Sequence, residues 1–528
     1  VRSLGAKHTA VCYDGVTVTD AQSGQVDISR FSLDNVDMIS LSIGQADDIF
    51  QTARMYASAG ALSIKTSRPV FTDRSYHLKA QVKAGSFGLV NPYLRYEQKL
   101  GKKWYTSWHG DYLRADGNYP FTLVNGNLIE KKKRYNSDIE SWRTELNFTG
   151  DLGKFGTLSM KGYYFDSHRG LPGSVIFYND YSGERLWDRN AFAQIHYENH
   201  ITEKFTFQAQ AKYNYSWMRH LDVDNKYESG RQDDRYTQKE YYLSISGLYS
   251  LADHLSLAVA EDYFINSLDN TIPECPFPKR YTSLTASTSL LGTYITENVE
   301  RGDRPSDRKR LSPAVSLSWR VLSDHNFRLR ASYKDIFRVP TFNDLYYLRI
   351  GNTDLKPERA TQYNVGMTWS GLLPFINYLN VSVDGYYNRV SDKIVAIPTM
   401  FIWKMMNMGE VSIGGIDVNL STEVPLWKNI SLTGQMSYSW QHAIDITDET
   451  EKNYRDQIPY TPKHSGNFSA ALQMPWINIS YLLTVVGDRY ASPQNIERNL
   501  IDRYAEQTVS LNRTFTFGSC SLRLQFDI

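Results

Sequence analysis

SLTGQMSYSW, residues 431–440, alternates strictly: Leu432, Gly434, Met436, Tyr438 and Trp440 fall on one face of an extended chain, and Thr433, Gln435, Ser437 and Ser439 on the other. The same period returns at 327–334, where Phe327, Leu329, Ala331 and Tyr333 oppose Arg328, Arg330, Ser332 and Lys334. It closes the chain at 521–528, with Leu522, Leu524, Phe526 and Ile528 opposite Ser521, Arg523, Gln525 and Asp527. Segments 157–166, 255–262, 363–369 and 381–387 repeat it. A strand face that carries arginine and lysine needs water, while its apolar face needs lipid or a core. From about Thr72 onward the pattern predicts on the order of twenty strands of about ten residues each, the length that crosses a bilayer. The fold class is therefore all-β, a transmembrane antiparallel β-barrel with a polar interior.

Connections sort by length. Short turns are expected near Gly101, Gly153, Glu203, Asp253, Asp324, Trp427 and Trp476, and long polar loops over 114–140, 168–189, 219–239, 340–360 and 442–463. Alternation of the two kinds places the long loops outside the cell. One stretch breaks the rhythm: between Arg280 and Arg308 a single clear strand fits where parity wants more, so the barrel is expected to be incomplete there. A soluble β-sandwich also alternates, but does not explain so many strands with alternating loop lengths, and no fixed repeat supports a propeller.

Composition agrees. Apolar residues are 41% of the chain and mean hydropathy is -0.46, so no run of about 18 apolar residues can form a membrane helix. A barrel tolerates this polarity because only alternate residues face lipid. The 37 Tyr and 11 Trp are of the type enriched at membrane interfaces. With 58 basic against 57 acidic residues there is no single-sign field for nucleic acid. Cys12, Cys275 and Cys520 are odd in number and far apart, giving neither a disulfide framework nor a zinc pattern. The start, VRSLGAKHTAVCYDG, lacks an export signal, so the expectation is that one was removed or that the start is missing.

Residues 1–70 read differently. AVCYDGVTV (10–18), MISLSIG (38–44) and ARMYASAGALSIKT (53–66) predict a small mixed α/β domain ahead of a barrel at 71–528. A barrel of about twenty strands would leave an aqueous channel, which such a domain can stop.

These residues resemble the TonB-dependent outer-membrane receptors. VRSLGAKHTAVCYDGVTVTD (1–20) is similar to the family's plug signature, an arginine and a glycine before a strand ending in Asp14-Gly15; 26–44 resembles the next plug strand; and 57–66, with Ala59, Gly60 and Ile64, resembles the passage from plug to barrel. YKDIFRVPTFNDLYYLRIGNTDLKPERATQYNVG (333–366) is similar to the family's barrel motif, with Phe337, Arg338, Pro340, Asn352, Leu355, Pro357 and Glu358 at matching places. Departures are Ser42–Gln45 where the family has Arg-Gly-Pro, the first half of the plug with its TonB box, and an aromatic-ended closing strand. The resemblance implies a barrel of about 22 strands around a plug, in the bacterial outer membrane and in contact with its lipid. It further implies that the protein is no enzyme and requires no cofactor. Such receptors import iron chelates, haem or cobalamin, powered by a TonB–ExbB–ExbD complex, and a surface lipoprotein caps some of them.

Within that resemblance, the loop with Thr19, Asp20, Gln22, Ser23 and Gln25 is similar to the substrate-facing plug loop of cobalamin receptors; as plain residues it is equally a polar turn with one glycine. This favours a corrinoid over a ferric siderophore or haem. Haem receptors that resemble this chain place a histidine between the FRVP and NTDL boxes, and 341–351 has none. Tyr346 and Tyr347 follow the matched motif and are candidates for substrate contact or interface anchoring. Asp222, Asp224, Asp233 and Asp234 could supply oxygen ligands to a structural calcium, although the EF-hand spacing is missing and a solvated loop is the plainer reading. His196 and His200 lack the zinc-protease glutamate placement. Lys131–Arg134 is a basic run suited to solvent or to lipid phosphate, and Trp403, Met405, Met406 and Met408 suit packing. A passive pore or surface-binding barrel is the alternative of another class.

Overall fold

The computed structural model describes the chain except residues 1, 44–48, 73, 126, 174, 176–181, 225, 253–254, 273–278, 288–291, 300–307, 323–325, 348–349, 399–402 and 408. The expected turns at Asp253 and Asp324, Cys275, Met408 and the segment from Gly44 lie outside the described residues.

Near the N-terminus a four-stranded sheet runs in the order Val16–Val18, Thr9–Tyr13, Gly60–Thr66, Val36–Ile43. Thr9–Tyr13 is parallel to Gly60–Thr66, and the other neighbours are antiparallel. Asp14 and Gly15 form a two-residue hairpin turn with φ of 49° and 83°, the positive pair that matches strand twist and that Asp-Gly adopts readily. Asp14 then clamps the sheet: its carboxylate accepts from the Thr66 amide and hydroxyl, both at 2.7 Å.

Around this domain, twenty-one strands among the described residues, from Tyr76–Gly85 to Cys520–Asp527, follow one another in a ring, each antiparallel to the next. Twenty-one is odd, so the first and last of these strands point the same way; near their ends the Arg74 guanidinium donates to the Ser519 carbonyl at 3.4 Å. Alternation is as expected on the wall: Met436, Tyr438 and Trp440 are exposed outside, while Lys161, Lys212, Glu145 and Glu240 are buried inside.

Several expectations are corrected. Two strands, Lys279–Ser287 and Gly292–Val299, precede Arg308–Leu322, where the sequence pattern offered one. Leu284 and Ala286 point inward, against Val16, Ala53 and Ala57 of the inner domain, so the polar-inside rule fails where the domain covers the wall. Strands are also longer than a bilayer requires: Arg185–Thr202 and Phe205–Asp222 have 18 residues and Gln232–Ala252 has 21. They continue as a rim beyond the membrane and shorten the expected 219–239 loop to 223–231. Loop 114–140 likewise holds a hairpin, Pro120–Asn125 with Leu128–Lys133.

Candidate functional site

The inner domain's outermost loop is built on Asp20. Its Oδ1 accepts from the Gln22 and Ser23 amides, each at 2.9 Å, and the Gly24 amide returns to the Asp20 carbonyl at 2.9 Å. Burial outweighs these donors and raises the Asp20 pKa. Gly24 has φ +75°, and a Cβ there would lie 2.6 Å from Cγ2 of Thr341, so the close approach requires glycine. The wall holds the loop through Gln238, whose Oε1 accepts from the Gln22 amide at 2.8 Å, and through a Thr19 hydroxyl bond to Glu240.

Loop 340–357 of the barrel comes down onto this turn. Its short helix, Phe342–Tyr346, has the usual unsatisfied N–H groups at its start. The Phe342 amide donates to the Ala21 carbonyl at 3.0 Å, and that of Asn343 to Gln22 at 2.9 Å. Thr341 and Asp344 complete a capping box at 3.1 and 3.0 Å. One helix of the barrel is thus capped by the domain inside it.

Asp344 leads into a buried ion network. Its carboxylate receives Lys7 at 3.1 Å and Arg338 at 3.0 Å. Burial pushes its pKa up, but Lys7 and Arg338 hold it below the usual carboxylate range. Arg338 also donates to Oε2 of Glu358 at 2.8 and 3.2 Å, and Oε1 of Glu358 meets His8 Nε2 at 2.8 Å. Burial lowers the His8 pKa despite Glu358, so the neutral imidazole donates to a carboxylate already paired with Arg338. Arg338 and Glu358 are the last register partners of neighbouring strands. The barrel motif and the N-terminal segment are therefore two halves of one joint.

Further ion pairs join the inner sheet to the wall. Tyr13 donates to Glu145 at 2.6 Å, Asn35 to the same carboxylate at 3.2 Å, and Lys161 bridges Glu145 and Asp14 at 2.5 and 2.7 Å. Lys212 joins Glu240 at 2.9 Å and the Thr17 carbonyl at 2.5 Å. Beside the edge strand Val36–Ile43 runs a polar cavity of about 600 Å³, lined by Ser42, Asn380, Ser382, Asn419 and Ser437.

Of the residues singled out for substrate, Thr19, Asp20, Gln22 and Ser23 are half-buried beneath the barrel helix and Gln25 is exposed. Tyr346, 6% exposed, packs among Phe342, Leu345, Leu355 and Tyr236, whereas Tyr347 is 39% exposed. Tyr346 is thus a packing residue in this state. The reachable part of the turn is Gln25, Ile28 and Ser29, whose Ser29 carbonyl receives Arg143 at 3.3 Å. Beside it Arg30 and Arg169 converge on Asp188 at 3.7 and 3.0 Å. Sequence reading passed over Arg30, Arg143, Arg169 and Asp188, as well as Lys7 and His8. Only the arginine-rich inward positions of the pattern hinted at the mouth.

The four aspartates proposed for calcium do not converge. Asp222 takes Lys226 at 2.7 Å and Tyr227 at 2.9 Å; Asp224 caps the Lys226 amide at 2.9 Å; Asp233 takes Arg219 at 2.7 Å. Alternation sends Asp233 outward and Asp234, which holds Gln232, inward. Among the described residues no group of three His, Cys, Asp or Glu is placed to hold a metal ion. His196 bonds Gln208 and His200 bonds Thr206, each at 2.8 Å. Met405 packs beside Tyr346's cluster.

A family model described as TonB dependent receptor-like, beta-barrel, matches residues 44–527. The chain is 23% identical over 498 residues to the vitamin B12 transporter BtuB of Photobacterium profundum, covering 91% of this chain and 72% of that protein. It is 30% identical over 184 residues to the vitamin B12 transporter BtuB of Vibrio vulnificus, covering 34% and 26% respectively. Among solved structures, the ferric citrate transporter FecA in its unliganded form superposes with TM-score 0.75 at 13% identity, over 100% of this chain and 84% of that one. The copper transporter OprC gives 0.74 at 14%, over 99% and 86%. These two likenesses concern the fold.

Proposed function

Because the chain belongs to the TonB-dependent receptor-like β-barrel family, whose members are outer-membrane transporters, we propose that it imports a corrinoid such as cobalamin, with a TonB–ExbB–ExbD complex moving the plug. The observation that carries the reading is the outermost plug loop, Thr19–Gln25, lying directly beneath the barrel helix Phe342–Tyr346. A solute held at Gln25, Ile28 and Tyr347 would touch both halves of that contact. The likeness to vitamin B12 transporters over 498 residues supports a corrinoid.

A second reading is an anionic ferric chelate. Arg30, Arg143 and Arg169 stand around the exposed turn, and guanidinium groups suit carboxylate or catecholate oxygens. Haem is less well supplied, since 341–351 carries no histidine for its iron.

Equilibrium binding to the purified chain separates the readings. A corrinoid receptor saturates with cyanocobalamin at micromolar concentration and is not competed by ferric citrate or ferric catecholates. Binding of a ferric chelate with no binding of cyanocobalamin would reject the corrinoid assignment.

A further inference from the structure

Lys334, Gln362, Asn388, Ile413 and Ala443 form one inward row across neighbouring strands of the wall. Lys334 is 2% exposed, and Gln362 and Asn388 are wholly buried. The next inward row toward the outer face is apolar, Ile336, Ala360, Val390 and Val411. Leu4 and Ala59 of the inner domain pack into the same cluster, as does Tyr386 from the row on the other side. The row is therefore enclosed by apolar groups and by the domain it faces.

Its polar atoms are left unanswered. Nε2 and Oε1 of Gln362, and Nδ2 and Oδ1 of Asn388, meet no hydrogen-bond partner among the described residues. Lys334 donates to the Ser58 carbonyl of the inner domain, which uses one of its three N–H groups. No neighbouring charge acts on Lys334 among the described residues. The inward carboxylates of these strands, Glu358 and Asp384, stand two rows away on either side and are taken by Arg338 and Arg330, each at 2.8 Å. Asp335, next in the sequence, holds Arg310.

A lone buried ammonium beside two unbonded carboxamides is costly. Loss of its proton would remove the charge and leave the four carboxamide atoms unmade. Water would meet the carboxamides and leave the charge. A monatomic anion answers both, accepting from the ammonium, Nε2 and Nδ2, while Oε1 and Oδ1 accept the remaining ammonium protons.

We propose that Lys334, Gln362 and Asn388 hold a halide ion between the barrel wall and the inner domain at Ser58. The enclosure by Leu4, Ala59, Ala360 and Val390 favours a single atom over phosphate or a carboxylate.

Bromide-exchanged crystals and chloride dialysis test it. Anomalous diffraction from the unaltered chain in bromide should show a peak beside Lys334 Nζ and the two carboxamides. Equilibrium dialysis of radiolabelled chloride against the purified chain should saturate at about one ion per chain, and K334M should bind at least about tenfold more weakly. R389Q, which removes an exposed arginine paired with Glu410, should bind as the parent does. A row that holds only water in the bromide crystals overturns the proposal without any variant. So does chloride uptake that fails to saturate, or a folded K334M that takes up chloride like the parent.

Discussion

The Phe342 amide donates to the Ala21 carbonyl at 3.0 Å, across 321 positions of sequence and from the barrel wall to the domain it encloses. The inner-domain loop therefore supplies what a helix start needs, and the helix closes the loop from above. Any displacement of the inner-domain loop must take two acceptors from that helix start and leave only its own Thr341–Asp344 capping box, which couples the inside of the barrel to its outer face.

Gly24→Val tests the closeness of this contact. The residue has φ +75° and its Cβ would strike Thr341, so the substitution should cost about 1–3 kcal/mol. Urea unfolding would report the loss, and limited proteolysis should begin to cut within 341–357. An unchanged midpoint would mean that loop and helix are not in contact in solution.

Glu358→Gln keeps the shape of a buried residue but removes the carboxylate that Arg338 and His8 share. Breaking a buried pair from one side costs roughly 3–5 kcal/mol. Equilibrium unfolding of the variant should show a loss of that order, while Arg389→Gln, at an exposed pair, should shift the curve by less than about 1 kcal/mol.

The network also sets a pH dependence. His8 has a folded pKa below its ordinary 6.5 because it is buried. The unfolded chain then takes up a proton that the folded chain refuses, so stability falls as pH drops through 6.5. Asp344 is depressed instead by Lys7 and Arg338 against its burial; its contribution is complete above 3.8 and is lost as pH falls through its lower folded value. Urea midpoints measured from about pH 8 to 3 should decline in two steps, and His8→Gln should remove the upper one alone.

Much of this could be read from alternation alone. Period two gave the barrel, the polar interior and the outward Met436, Tyr438 and Trp440, because one face of each strand meets lipid. It failed at Leu284 and Ala286, where the inner domain replaces water, and it set strands too short, because nothing in the period marks where the membrane ends. The loop around Asp20 was legible as a turn, and the motif from Tyr333 to Gly366 stood out as one unit. Its partners did not: Lys7 and His8 meet Asp344 and Glu358 across more than three hundred positions. Tyr346 was a candidate for substrate contact because it follows the matched motif, yet Phe342, Leu345 and Leu355 enclose it.

Calcium should have little effect on the rim. Asp222 and Asp233 are spent on Lys226 and Arg219, and a cation would first have to displace that ammonium and that guanidinium. Thermal unfolding with excess calcium and with chelator should give the same Tm. A Tm that climbs with the logarithm of calcium concentration would show a site, formed by rearrangement of 222–234.

The central claim is energised import through a plugged barrel. Uptake of radiolabelled cyanocobalamin by cells producing the protein, with and without a functional TonB complex, tests it most directly. Saturable uptake that disappears without TonB is the expected result. Uptake that rises linearly with concentration and is indifferent to TonB would make the barrel a passive pore and contradict the account.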